Sequence, residues 1–143
     1  MKRLAMMAVV LLAAGGAWAK PVDWVTDYDK ALSDAEKNKK IIMIDFYTDW
    51  CGWCKKLDKD VYAKKEIEDK LAANFISMKL NPEKSRKAAE LSKKFGTRGF
   101  PHIVFLDAKG NKISQIGGYL PAKDFGAKLD ELSKANVDPA AKK

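Results

Sequence analysis

The sequence predicts an α/β domain in which helices cover a mixed β-sheet. Two observations favour this class. Short apolar runs rich in β-branched and aromatic residues alternate with amphipathic segments, which is typical of parallel strands joined by crossover helices. The last two apolar runs are separated only by the turn sequence Ala108-Lys109-Gly110-Asn111, which predicts an antiparallel hairpin at one edge of the sheet.

The first half of the domain should contain a helix, a strand and a longer helical region. Residues 27–39 form the first helix, and its apolar face consists of Tyr28, Ala31, Leu32 and Ala35. Residues 41–47 form a strand that is almost wholly apolar, as expected for a strand covered on both faces, and its one charged residue is Asp45. A turn over residues 49–53 leads into a helix that continues to about residue 62.

More helix over residues 66–73 and a second strand over residues 75–80 should follow. The next helix begins after Ser85, a residue type that caps helices, and ends at Gly96. Its predicted apolar face includes Ala88, Ala89, Leu91 and Phe95.

The closing hairpin and one helix complete the predicted domain. Its two strands cover residues 103–107 and 113–116. Pro121 lies where the first turn of the last helix should be, and that helix runs to about residue 134.

The first residues of the chain predict export. Residues 1–19 combine a positive start, an apolar run and the small-x-small sequence Ala17-Trp18-Ala19, which together predict a cleaved signal peptide. The apolar run is shorter than the roughly 20 residues that a membrane-spanning helix needs. We therefore expect a periplasmic protein with one domain over residues 20–135 and a flexible tail over residues 136–143.

The chain has a formal net charge of +8. Such a balance can indicate a nucleic-acid-binding protein. Predicted export and the even scatter of lysines among acidic residues argue instead for a solvated surface, so we expect no nucleic-acid partner.

Cys51 and Cys54 are the only two cysteines, and only Gly52 and Trp53 separate them. A purely structural disulfide is a poor explanation, because the stabilisation that a disulfide provides grows with the length of the loop it closes. A structural zinc site needs four ligands, and His102 is the only histidine that could join two thiolates. A Cu(I) site needs fewer ligands and stays open as an alternative.

A redox pair fits the position of the two cysteines best. They lie where a buried strand ends and a helix begins, so that Cys51 falls at the N-terminus of the helix and Cys54 one turn inside it. Unpaired backbone N–H groups and the helix dipole favour negative charge there, and the thiolate is the reactive form of cysteine. The spacing also allows the two sulfurs to form an exchangeable bond.

The segment IDFYTDWCGWCKKLD, residues 44–58, resembles the active-site segment of the thioredoxin family. The resemblance continues through ISMKLN and KKFGTRGFPHIVFLDAKGNKISQIGGY and covers roughly residues 40–134. It implies the thioredoxin fold, with a mixed central sheet of about four to five strands flanked by helices. It also implies that no cofactor is needed, since a Cys51–Cys54 dithiol carries the electrons.

The resemblance assigns roles to individual residues. Cys51 is the expected exposed nucleophile, and Cys54 the buried thiol that resolves the mixed disulfide. Asp45 and Lys79 correspond to a buried acid and its lysine partner. An argument from the sequence alone supports Asp45, because burial of an ionised acid is costly and raises its pKa toward the range useful for proton transfer.

Other matched positions surround the expected substrate groove. Pro101 corresponds to a cis-proline that faces the cysteines, and Phe100 before it presents backbone to the substrate. The remaining expected substrate-binding residues are Trp50, Trp53, Gly117 and Gly118, with the two glycines as alternatives for one position. Trp53 replaces a proline that is common in the family, and His102 replaces a small residue; a charged His102 facing the sulfurs would make the protein more oxidising.

These observations predict a periplasmic thiol-disulfide oxidoreductase that reduces exported proteins. We expect oxidised exported proteins as substrates, a membrane electron donor, and a monomer. The alternatives are a disulfide oxidase or isomerase, and a non-enzymatic Cu(I) or thiol carrier.

Overall fold

The structure, a computed structural model, describes residues 21–137. The predicted signal peptide and residues 138–143 of the predicted tail lie outside the described residues. Five strands form one sheet in the order β1-β3-β2-β4-β5. They are β1 (Trp24–Val25), β2 (Ile41–Phe46), β3 (Phe75–Leu80), β4 (His102–Leu106) and β5 (Lys112–Gly117). The helices are α1 (Tyr28–Asn38), α2 (Gly52–Leu57), α3 (Lys65–Asn74), α4 (Arg86–Lys94) and α5 (Ala122–Val137).

The sheet is mixed, as the sequence predicts. Strands β1, β3 and β2 are parallel, whereas β4 is antiparallel to both β2 and β5. Strand β1, which pairs only Trp24 and Val25 with β3, was not predicted from the sequence. Two residues are too few to show the alternation of apolar and polar residues that marks a strand.

Side-chain caps set the start of two helices. The carboxylate of Asp27 accepts a hydrogen bond from the Lys30 N–H at 3.0 Å and starts α1. The hydroxyl of Ser85 accepts one from the Ala88 N–H at 3.3 Å and starts α4, as predicted. Each cap satisfies a backbone N–H that has no partner inside its helix.

Three details differ from the predictions. The helix expected to reach residue 62 divides into α2 and a π-helical turn, Asp58–Tyr62, so the backbone changes pitch one turn after the cysteines. Ala89 is exposed, because the buried face of α4 is narrower than its apolar residues suggest. Helix α5 includes two residues of the predicted tail, and the Asn136 amide donates to the Lys39 carbonyl at 3.0 Å.

The sheet separates two apolar layers. One contains Ile42, Ile44 and Phe46 of β2 and packs against α1 and α4. The other contains Ile41 and Met43 and packs against α2, α3 and α5. Because side chains alternate along a strand, Asp45 lies on the α2 side of the sheet.

Among residues 21–137, no helix is both long enough and apolar enough to cross a membrane.

Candidate active site

Cys51 and Cys54 form a disulfide at the start of α2, and their Cα atoms lie 5.3 Å apart. Cys51 is the N-cap residue, with extended backbone, and its sulfur accepts a hydrogen bond from the Cys54 N–H at 3.1 Å. The sulfur therefore occupies the place that a serine or aspartate oxygen takes in an ordinary N-cap. This local geometry directs a backbone donor at the sulfur that would carry charge in the reduced protein.

The expectation that Cys51 is exposed is wrong for this oxidised form. Cys51 is only 4% exposed and Cys54 only 2%. The reason is geometric, because the bond to Cys54 and the hydrogen bond from the Cys54 N–H hold the Cys51 sulfur against the first turn of α2.

Asp45 is fully buried near the end of β2. One carboxylate oxygen, Oδ2, accepts from the Lys79 ammonium at 3.1 Å, and the other, Oδ1, has no hydrogen-bond partner among the described residues. Burial raises the pKa of Asp45, and the charge of Lys79 lowers it in part. An acid in this state can take up a proton at a pH where an exposed aspartate remains ionised.

Lys79 joins Asp45 to a second acid, Asp58. Register explains the first contact, because Lys79 pairs with Asp45 across β2 and β3. Its ammonium also lies 2.5 Å from Asp58 Oδ1. Burial lowers the pKa of Lys79, but the two carboxylates raise it by more, so its pKa lies above the ordinary value.

Aromatic rings surround the same ammonium. The rings of Tyr47, Trp24 and Tyr62 have their centroids 4.9, 5.0 and 5.3 Å from Lys79 Nζ. Such rings attract a cation electrostatically and exclude water from it. The Tyr62 hydroxyl is buried beside Asp45 outside hydrogen-bonding geometry, and burial together with the charge of Asp45 raises the pKa of Tyr62 well above its ordinary value.

Four members of this cluster were not expected from the sequence: Asp58, Tyr62, Trp24 and Tyr47. A signal for two of them existed. Asp58 follows Cys54 by four residues, and Tyr62 follows Asp58 by four, a spacing that places side chains on one face of a helix. Trp24 gave no such signal, because its contact depends on the short strand β1.

Two exposed tryptophans flank the disulfide in the sequence. Trp50 is 67% exposed; its indole N–H donates to Glu83 at 3.0 Å, and its ring meets the Phe100 ring edge-on at a centroid distance of 6.0 Å. Trp53 is 59% exposed and lies 5.6 Å from the Tyr119 ring. Large exposed aromatic side chains are typical of surfaces that bind other proteins.

The loop before β4 contains Phe100 and Pro101, and the peptide bond between them is cis, the geometry that the resemblance implied. The Pro101 carbonyl accepts a hydrogen bond from the Gly118 N–H at 2.8 Å. Gly118 has φ +87°, a backbone conformation that favours glycine, whereas Gly117 ends β5 opposite His102. Gly118 is thus the glycine that contacts the proline.

His102 is buried, and its two ring nitrogens face other groups than the sulfurs. Nδ1 lies 2.8 Å from the Thr97 hydroxyl, and Nε2 lies 3.1 Å from Gln115 Oε1. The ring stacks on Phe46 at 6.2 Å. Burial lowers the pKa of His102, which favours the neutral imidazole at pH 7.

Within the described part of the chain, no group of three or more histidine, cysteine, aspartate or glutamate side chains is arranged to hold a metal ion.

Comparison with protein families gives a match over most of the chain. A family model described as "Thioredoxin-like domain" matches residues 28–133. A thioredoxin from Thermus thermophilus superimposes with a TM-score of 0.72 over 82% of this chain and 91% of that chain, at 21% identity. At that identity the likeness concerns the fold, and the thioredoxin fold predicted from the sequence is confirmed.

Two curated relatives are similar in sequence. The rice protein "Thioredoxin-like protein HCF164, chloroplastic" is 40% identical over 100 residues, which cover 70% of this chain and 35% of the relative. The "Thiol:disulfide interchange protein DsbD" of Photorhabdus laumondii is 30% identical over 101 residues, which cover 69% of this chain and 18% of the relative. The matched part is therefore a minor share of each relative's length.

Proposed function

The chain belongs to the thioredoxin-like domain family, and from that premise we propose that it is a thiol:disulfide oxidoreductase acting through Cys51 and Cys54. One observation carries this proposal. It is the position of the Cys51–Cys54 disulfide at the N-terminus of α2, on the side of the sheet where Asp45 is buried. Because the pKa of Asp45 is raised, its carboxyl group can exchange protons.

The chemistry follows from thiol-disulfide exchange. In the reduced protein, the Cys51 thiolate attacks a partner disulfide; an S–S bond to one partner sulfur forms, and the partner bond breaks to release a thiolate. Cys54 then transfers its proton to Asp45 and attacks the Cys51 sulfur. The mixed disulfide breaks, the Cys51–Cys54 bond forms, and two electrons have passed to the partner.

Lys79 and Asp58 have a positioning role in this scheme. The ammonium of Lys79 holds the carboxylate of Asp45 in place, while Asp58 shares the same ammonium closer to solvent. The surface that receives the partner chain is formed by the exposed rings of Trp50 and Trp53, the Phe100–Pro101 peptide, Gly117 and Gly118.

The direction that we propose is reduction in the periplasm, with a membrane protein as electron donor and oxidised exported proteins as substrates. The name of the DsbD relative, a thiol:disulfide interchange protein, supports exchange as the reaction class. The dithiol serves in place of a cofactor, and the working protein is a monomer formed by the domain that remains after residues 1–19 are removed.

Reduction of insulin disulfides with dithiothreitol as donor tests the activity. The wild-type protein should accelerate the reaction, and Cys51→Ser should not. Failure of the wild-type protein in this assay would contradict the proposal. An equilibrium potential in glutathione buffers separates a reductase from an oxidase or isomerase, and Cu(I) binding by anaerobically purified protein would favour a carrier.

Export needs a separate measurement. When the full chain is expressed in a bacterium, the periplasmic fraction should contain a protein that begins at Lys20. A cytoplasmic protein that retains residues 1–19 would contradict that part of the proposal.

A further inference from the structure

An open cavity of about 420 Å³ lies beside the cis-proline loop, between residues 96–101 and the end of β5. It is on the opposite side of the sheet from Asp45, because His102, which lines it, stacks on Phe46 of the α1 and α4 layer. The Phe100–Pro101 peptide also lines it, so that the cavity adjoins the surface proposed to receive the partner.

Four glycines line this cavity, and two of them, Gly99 and Gly117, have room for a side chain. Gly96 and Gly118 have φ values of +75° and +87°, which favour glycine. Gly99 and Gly117 do not have positive φ, and a Cβ atom added to either would meet no atom within 4 Å. Their lack of side chains keeps the cavity open.

The side chains of Arg98 and Gln115 can each offer hydrogen-bond donors to the cavity. Arg98 is the only charged residue that lines it, and its guanidinium makes no hydrogen bond or ion pair with any described residue. Gln115 Oε1 faces both the Lys112 ammonium, at 2.5 Å, and His102 Nε2. Because a lysine can only donate, this contact fixes the oxygen of Gln115 and leaves its NH₂ group without a partner among the described residues.

We propose that this cavity binds a carboxylate of the protein partner, carried by an acidic residue close in sequence to the partner's reactive cysteine. A guanidinium and an amide NH₂ are suited to a carboxylate, and among residues 21–137 no acidic side chain lines the cavity to repel one. Phe100 lines the cavity and its ring contacts the ring of Trp50, the residue before Cys51, so a partner segment bound along Phe100 lies near both the disulfide and the cavity. The inference rests on the proposed function and adds a preference among its substrates.

Synthetic peptides test this preference. Each peptide carries one cysteine as a mixed disulfide with 5-thio-2-nitrobenzoate, and one aspartate within about four residues on either side; its twin carries asparagine instead. Reduced wild-type protein should react about tenfold faster with the aspartate peptide than with its twin at one or two of these positions. Arg98→Gln should bring that ratio to about one.

Arg86→Gln is the matched control. It removes the same charge from the exposed start of α4, where Arg86 pairs with Glu90, and it should keep the aspartate preference. Equal rates for both twins at every position would overturn the inference and leave the oxidoreductase intact. No reaction with any peptide would overturn the proposed function and the inference with it.

A binding measurement removes the dependence on turnover. Oxidised, ¹⁵N-labelled protein is titrated with the preferred peptide in which serine replaces cysteine. The Gln115 side-chain amide and the Gly99 and Gly117 backbone amides should shift with the aspartate peptide and not with its asparagine twin. Gly99→Ala, whose added Cβ atom meets no other atom within 4 Å, should weaken this binding by narrowing the cavity. Equal shifts with both peptides would contradict the inference.

Discussion

The Lys79 ammonium lies 3.1 Å from Asp45 Oδ2, although the carboxylate has no exposed surface and the lysine side chain is 16% exposed. The contact opposes the larger effect of burial on the carboxylate, because burial raises the pKa of Asp45 and Lys79 lowers it. Asp58 draws on the same ammonium, and its negative charge raises the pKa of Asp45 further. The proton affinity of the buried acid is therefore set by how the two carboxylates share one cation.

Removing the positive charge of Lys79 and removing the negative charge of Asp58 should shift the pKa of Asp45 in opposite directions. Lys79→Met removes the attraction while burial remains, so the pKa of Asp45 should rise. Asp58→Asn removes a repulsion and leaves Lys79 to Asp45 alone, so that pKa should fall. Titration of the Asp45 carboxyl by ¹³C NMR in each variant checks both directions, and shifts of the same sign would contradict the sharing of one cation.

Asp45→Asn should slow disulfide exchange at neutral pH by about 10²-fold, the lower range of what a positioned acid or base contributes. Asparagine has nearly the same shape as aspartate but cannot accept the proton of Cys54. The rate of insulin reduction between pH 6 and 8 measures the effect. Asp60→Asn is the control, because Asp60 lies in the π-helical turn and pairs with Lys56 at the surface. Unchanged kinetics in Asp45→Asn would refute the role.

The same substitution should change how stability depends on pH. The folded-state pKa of Asp45 is raised, so between the unfolded and folded pKa values the folded chain binds more protons than the unfolded one. Stability from this group is present at low pH and is lost as pH rises through the folded pKa. The free energy of unfolding of oxidised Asp45→Asn, relative to wild type, should therefore increase from pH 4 upward, as measured by urea unfolding. A constant difference across the range would show that Asp45 does not titrate in this way.

Reduced Cys51 should be alkylated much faster than reduced Cys54. The Cys51 sulfur is at the N-cap of α2, where the Cys54 N–H and the helix dipole favour a thiolate, whereas Cys54 lies one turn inside the helix. Mass spectrometry of the protein after brief treatment with iodoacetamide measures the two rates. Cys54→Ser should also trap a mixed disulfide with partners, and Cys51→Ser should not; equal alkylation rates would contradict the assignment.

Local sequence patterns made most of the fold predictable. The apolar run of β2, the cap at Ser85 and the turn before β5 are each encoded within a few neighbouring residues, and all of them appear where expected. The strand β1 and the π-helical turn were missed because a two-residue pairing and a change of helix pitch depend on tertiary contacts. The sequence also could not show that Lys79 is shared, since its contact with Asp58 depends on how the π-helical turn packs against the sheet.

The site was predictable to a similar degree. Asp45 stood out because a charged residue interrupts an apolar strand, and it is fully buried. The exposure of Cys51 was predicted wrongly, because the bond to Cys54 and the hydrogen bond from the Cys54 N–H hold its sulfur against α2, and the spacing of the two cysteines does not show this. The environment of His102 depends on Thr97 and Gln115, which lie in a loop and in a neighbouring strand and carry no spacing signal.

The surroundings of His102 lead to a prediction of redox potential. A disulfide is a stronger oxidant when the thiolate of its reduced form is better stabilised. A charged imidazole near the sulfurs would supply such stabilisation, but burial lowers the pKa of His102 and its nitrogens face Thr97 and Gln115. Trp53, between the cysteines, adds no charge.

The potential of the Cys51–Cys54 pair should therefore lie nearer about −270 mV, the value for thioredoxin, than about −120 mV, that of a strong periplasmic oxidant. Since ~30 mV corresponds to ~1.4 kcal/mol for two electrons, the two values differ by roughly 7 kcal/mol, and equilibration with glutathione buffers separates them clearly. His102→Ala should shift the potential by less than about 30 mV, because the neutral imidazole does not face the thiolate. A potential above roughly −150 mV would contradict the reducing direction, and a large shift in His102→Ala would identify the imidazole as the cause.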